Sequence, residues 1–119
     1  MPYKDPQRQR EACRAHYKSN KAAYVARARA KDAETAASVT AWLLKYLDDH
    51  PCVDCGETDP VVLEFDHRQG ERKIFNIADA RRRKISLRWV SSEVAKCDVR
   101  CANCHRRVTY QRAGLTHRG

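Results

Sequence analysis

No long apolar run occurs in this 119-residue chain. The longest stretch without a charged residue or histidine spans only Thr35 to Leu44. A membrane-spanning helix needs roughly 20 apolar residues, so none is expected. The opening MPYKDPQRQRE lacks the apolar segment of a secretory leader, and none is expected there either. The expected compartment is the reducing cytoplasm, where six cysteines do not read as a disulfide framework. There is no repeat with a period of roughly 20–50 residues. Beyond the Ala/Arg/Lys-rich start there is no low-complexity tract. The length suits one domain with a modest core and a helical appendage.

Acidic charge is also scarce. The chain carries 24 Lys+Arg against 15 Asp+Glu, a net charge of +9, with a pI near 9.5. Its distribution is uneven. Residues 1–50 hold 10 bases and 6 acids, residues 51–67 hold 5 acids and no base, and residues 68–119 hold 14 bases and 4 acids. A basic surface of this size points to a polyanion, with nucleic acid the first candidate. The acidic island between two basic arms marks where a cation has to be held.

From about Gln7 to Lys31 the chain is rich in Ala, Arg, Lys and Gln, which are good helix formers with little to bury. A basic helix is expected there, either solvated or lying along phosphates. Val39, Trp42, Leu43, Tyr46 and Leu47 fall at i, i+3, i+4, i+7 and i+8. That is the apolar stripe of an amphipathic helix over 33–49, stopped by Pro51 and packed on the core, with a dimer interface as the alternative. Val61 to Asp66 is β-prone, with Leu63 and Phe65 on one face. Residues 68–85 read as a basic loop. A helix over 86–96 has Ser86 as N-cap, CDVRC forms a short strand, and a last helix from Ala102 to about Arg112 ends at Gly114. The expected divisions are 1–32, a basic helix; 33–50, the amphipathic helix; 51–113, the functional domain; and 114–119, a tail.

Cys52-x-x-Cys55 and Cys101-x-x-Cys104 form two knuckles separated by 45 residues. Two-residue spacing lets both sulfurs of a turn reach one ion at about 2.3 Å, so four thiolates fit a tetrahedral, structural zinc site. A redox dithiol is the competing reading, but redox CxxC motifs usually come singly. Cys13 and Cys97 lie outside the knuckles and read as free or packing thiols.

Between the knuckles, Asp66-His67 closes the expected strand, and His105 directly follows the last knuckle cysteine. A carboxylate and an imidazole can hold a divalent cation at an open site, while a second imidazole takes a proton from water. Neighbours on a regular strand face opposite sides, so Asp66 and His67 share a pocket only if the strand ends there. Arg68-Gln69-Gly70 is the expected ending.

The ordered combination CVDCG, VLEFDH and KCDVRCANCHRRVT, from Cys52 to Thr109, resembles the HNH endonucleases of the zinc-knuckle, ββα-metal type. It looks most like small stand-alone HNH proteins of bacteria and phages. The resemblance implies an α+β fold: a ββα-metal (His-Me finger) core held by the four-cysteine zinc site and preceded by N-terminal helices. It implies His67 as general base, Asp66 and His105 as ligands of a catalytic Mg²⁺ or Mn²⁺, and hydrolysis of DNA phosphodiesters. It also implies a cytoplasmic place on the nucleoid, or in the host cytoplasm for a phage protein. One position departs from the pattern. The family's middle asparagine usually sits about five residues before the third zinc cysteine, where this chain has Lys96; Asn76 and Asn103 lie elsewhere.

Arg68, Lys73, Arg81, Arg82, Arg83, Lys84, Arg106 and Arg107 are the expected phosphate contacts. DNA is the expected partner, with no membrane; a homodimer or a larger DNA-processing complex is left open. The alternative function is a zinc-ribbon DNA-binding or packaging-accessory protein without catalysis. Contacts dominated by phosphate predict steep salt dependence. DNA affinity measured by fluorescence anisotropy should fall by on the order of 10³-fold between 50 and 200 mM salt; a flat response would contradict it.

Overall fold

The computed structural model describes residues 5–115. It is an α+β fold of four helices and one two-stranded sheet. The chain forms two compact units, Met1–Glu34 and Thr35–Gly119.

In the first unit, α1 (Pro6–Ser19) starts on Asp5, whose side chain accepts the Gln7 N–H at 3.0 Å, with Pro6 pre-set for the first turn. It stops at Asn20, whose side-chain amide donates to the His16 carbonyl at 2.8 Å. Such local side-chain bonding competes with the helical ladder. α2 (Lys21–Asp49) begins at the next residue. The single basic helix expected over 7–31 is therefore two helices, and no break falls at 32/33. No residue of α1 is buried, as its mostly charged and polar composition implies. Tyr24 gathers what contact there is. The Tyr17 ring lies 5.3 Å from it, and Arg27 sits over it at 5.0 Å.

The second unit contains the expected stripe of α2. Val39 and Leu47 are buried, and Trp42, Leu43 and Tyr46 pack beside them. The stripe is covered by the chain's own core. A 3₁₀ turn (Pro60–Val62) leads into β1 (Leu63–His67), which pairs antiparallel with β2 (Cys97–Cys101). The strand starts two residues later than the β-prone run and continues through His67, because His67 is still in register with Cys97. Between the strands lie a second 3₁₀ turn (Ile77–Asp79) and α3 (Leu87–Val94). Ser86 takes the N-cap position of α3 without a side-chain cap bond. α4 (Ala102–Arg112) follows β2 directly.

Strand alternation gives this small sheet two unlike faces. Leu63, Phe65, His67, Cys97, Val99 and Cys101 pair on one face; Glu64, Asp66, Asp98 and Arg100 pair on the other. The first face is the core. Val39, Phe75, Ile77, Val90, Val94 and Cys97 cluster at one end, and Leu47, Leu63, Val99, Cys52, Cys101 and Cys104 at the other. Tyr46 and Phe65, with ring centroids 5.9 Å apart, join the two clusters. The charged face carries the side chains that meet α4.

Candidate metal centre and histidine groove

The first knuckle is shaped by backbone bonds. The Gly56 N–H donates to the Cys52 carbonyl and the Cys52 N–H to the Glu57 carbonyl, both at 2.9 Å. Gly56 takes φ +80°, a left-handed conformation that a side chain would oppose. The Val53 N–H reaches the Val99 carbonyl at 2.9 Å and docks the knuckle beside β2. The second knuckle is the junction of β2 and α4. The Cys101 sulfur accepts the Cys104 N–H at 3.4 Å and caps α4.

The four knuckle sulfurs lie within 4.8 Å of one another, and Cys55 and Cys101 are 3.7 Å apart. Tetrahedral bonds of about 2.3 Å set sulfur separations of about 3.8 Å, so the donor set fits zinc. The electrostatics agree. Burial opposes ionisation of Cys52, yet backbone groups of Cys101, Cys55 and Asp54 hold its thiol down at about 6. The Cys101 sulfur, then burial, push Cys104 up to about 12. Crowded sulfurs resist full ionisation until a cation neutralises them. Cys97 stands apart. Its thiol is pushed up to about 11, by burial and then by the Glu93 charge, and its sulfur rests against the Glu93 carbonyl at 3.5 Å. It packs, as expected of a cysteine outside the knuckles.

Asp66 and His105 come together on the charged face. His105 Nε2 lies 3.4 Å from Asp66 Oδ1, and its Nδ1 lies 2.7 Å from Glu64 Oε1. Asp66 is 4% exposed. Burial opposes its ionisation, but Arg112 at 2.9 Å and Arg100 at 2.5 Å hold its carboxyl below the usual range. Arg100 also pairs with Asp54 of the first knuckle at 2.7 Å, so it links the sulfur cluster to Asp66. Oδ1 and Nε2 are close enough to serve as neighbouring ligands of one divalent ion. Such an ion would compete with Arg112 for Oδ1. Two protein ligands suit Mg²⁺, which keeps several of its waters. Among the described residues, the four cysteines are the one cluster of three or more converging ligand side chains.

His67 points from the opposite face. Its Nε2 meets Glu93 Oε2 at 2.7 Å. The strand does not end before His67, so Asp66 and His67 diverge. His67 meets His105, the neighbour of Asp66, at the edge of β1. There, His67, Glu64 and His105 border one groove of about 460 Å³, together with Lys73, Asn76 and Arg81. Glu64 and His105 also border a second hollow of about 400 Å³ that includes Arg106 and Tyr110.

The basic residues divide by what holds them. Arg68 is partly exposed and held to the main chain: its guanidinium donates to the Cys97 carbonyl at 3.0 Å and to the Ala95 carbonyl, and it pairs with Asp98 at 3.4 Å. It clamps the end of β1. Lys73, Arg81, Arg83, Lys84, Arg106 and Arg107 are exposed. Arg82 is exposed and pairs with Asp79 at 3.3 Å. Lys84 takes φ 57°, closing a turn in which the Ile85 N–H reaches the Ala80 carbonyl at 3.0 Å.

Three side chains of this region are not among the expected site residues: Glu64 and Arg100, inside the quoted motif, and Glu93, outside it. Each leaves a trace in the sequence. Glu64 shares strand parity with Asp66, and Arg100 with Asp98. Glu93 falls on the apolar stripe of α3, between Val90 and Val94 at i+3 and i+4. An acid at such a position requires partners.

No family model, curated protein or solved structure matches this chain.

Sulfur ligation predicts that the metal is part of the fold. The purified protein should hold about one zinc per chain. Its removal by a strong chelator should abolish the cooperative melt followed by tryptophan fluorescence, since Trp42 and Trp89 both lie in the second unit. Zinc should restore it, and Cys52→Ser should match the chelated protein. An unchanged melt after metal removal would contradict this.

Proposed function

We propose that the chain is a metal-dependent DNA endonuclease of the HNH type. The observation that carries this reading is the approach of His105 Nε2 to Asp66 Oδ1 at 3.4 Å, beside a groove that His105 shares with His67. The order of the pieces supports it as well. β1 ends on Asp66-His67, β2 pairs with it, and α4 brings His105 back, which is the ββα sequence that the motif resemblance implies.

A Mg²⁺ or Mn²⁺ ion on Asp66 and His105 would supply positive charge to the scissile phosphate and the leaving oxygen. The protein does the rest. His67 is the general base: it takes the proton of the attacking water at the groove. Lys73 and Arg81 on the groove wall, and Arg106 beside His105, draw and orient the phosphate backbone. Glu64 holds one nitrogen of His105 and leaves the other for the cation, as carboxylates commonly do behind ligating histidines. The sulfur-bound zinc stays outside the chemistry and fixes where α4 starts.

A second reading rests on the two guanidinium groups that already balance Asp66. A protein that binds DNA without cutting it, as a zinc ribbon or packaging accessory, has no need to release them. Supercoiled plasmid separates the two. With Mg²⁺ or Mn²⁺ the protein should nick it. His67→Ala should slow nicking on the order of 10²-fold or more at unchanged zinc content and melting temperature. Equal nicking by the variant would remove His67 from the mechanism. Absence of nicking with any divalent ion would leave the binding protein as the account.

A further inference from the structure

Glu93 is a charged side chain inside the core. It is 2% exposed, on the buried stripe of α3. A carboxylate in such surroundings is tolerated only when donors replace its water. Three do. The Ile74 N–H reaches Oε2 at 2.9 Å, Lys96 Nζ reaches Oε1 at 2.9 Å, and His67 Nε2 lies 2.7 Å from Oε2. Burial opposes ionisation, but Ile74, Lys96 and His67 together hold the carboxyl down at about 2. Glu93 is therefore a carboxylate at neutral pH, and a carboxylate only accepts hydrogen bonds.

The orientation of His67 follows from that. Its Nε2 must carry a proton to bond Glu93, so in the neutral ring Nδ1 holds the free lone pair. With Nε2 held by Glu93, Nδ1 is the nitrogen left for the groove that His67 borders. We propose that Glu93 is the positioning residue of His67: it fixes the Nε2–H tautomer and the ring's direction, so that Nδ1 is the atom that receives the proton from water. The tautomer stands on this geometry alone; its catalytic consequence rests on the nuclease reading.

The rest of the network keeps Glu93 in place. Lys96 donates at once to Glu93 and to the Arg72 carbonyl at 2.8 Å. Ile74 and Arg72 flank Lys73, so the carboxylate that orients His67 also anchors the loop carrying a groove lysine. Lys96 occupies the position where the HNH pattern usually has its middle asparagine. In this chain a Lys96–Glu93 pair stands between that position and the histidine.

The test is the ring itself. Long-range ¹H–¹⁵N spectra of the zinc-loaded, ¹⁵N-labelled full chain report the tautomer, with His67 assigned through His67→Ala. The neutral wild-type ring should show a pyrrole-like Nε2 and a pyridine-like Nδ1. Glu93→Gln, which keeps the shape and removes the charge, should lose that single tautomer. It should also lower kcat for plasmid nicking at least tenfold, with KM for DNA and zinc content unchanged. A pyridine-like Nε2 in the wild type would overturn the proposal whether or not the variant folds. So would a Glu93→Gln protein with the wild-type tautomer and rate. If the wild type holds the Nε2–H tautomer yet never nicks DNA, the role of Glu93 towards His67 is supported and the nuclease reading fails.

Discussion

Four sulfurs within 4.8 Å of one another organise the second unit. They come from the loop after α2, the end of β2 and the first turn of α4. The sheet has only two strands, and the largest fully buried side chains are three valines. In a domain with so little to bury, a metal held by these sulfurs would supply much of the folding free energy. The position of the sulfur cluster in the chain also sets the position of His105. Cys104 and His105 are neighbours on a helix, about 100° apart around its axis, so one faces the sulfur cluster while the other faces the charged side of the sheet. Arg100 carries the connection across, from Asp54 in the first knuckle to Asp66.

The two histidines are handled by one physical device on opposite faces of β1. Each has one ring nitrogen against a carboxylate at 2.7 Å: His67 against buried Glu93, and His105 against exposed Glu64. Both histidines border the groove, and the second nitrogen of His105 lies 3.4 Å from Asp66 Oδ1. The settings differ in stiffness. Glu93 is enclosed and has three donors, while half of the Glu64 side chain is open to solvent. His67 is thus tied to the core and His105 to the surface, a difference that suits the proposed proton acceptor and the proposed metal ligand respectively.

Much of this was legible in the residues. The CxxC spacing predicted the sulfur cluster, the 3.6-residue period predicted the stripe from Val39 to Leu47, and the Pro51 stop fell where α2 ends. What was hidden depended on tertiary partners. The helix break at Asn20 comes from one side-chain bond to the preceding turn, which composition does not announce. β1 keeps His67 because its partner strand extends to Cys97, a matter of register. Arg68 reads as a phosphate contact by its charge, yet carbonyls of Ala95 and Cys97 converge on it. Glu93 reads as a flaw in a helix stripe until the three donors around it are seen.

The central claim is that two ions have separate duties, one held by sulfur within the fold and one held by Asp66 and His105 at the groove. Anomalous diffraction from crystals of the zinc-loaded protein soaked in Mn²⁺ tests it most directly. The account predicts a zinc peak at the centre of the Cys52, Cys55, Cys101 and Cys104 sulfurs, and a manganese peak beside Asp66 Oδ1 and His105 Nε2 with Arg112 moved away. Manganese bound elsewhere, or Arg112 still seated on Asp66 with no peak beside it, would contradict the account.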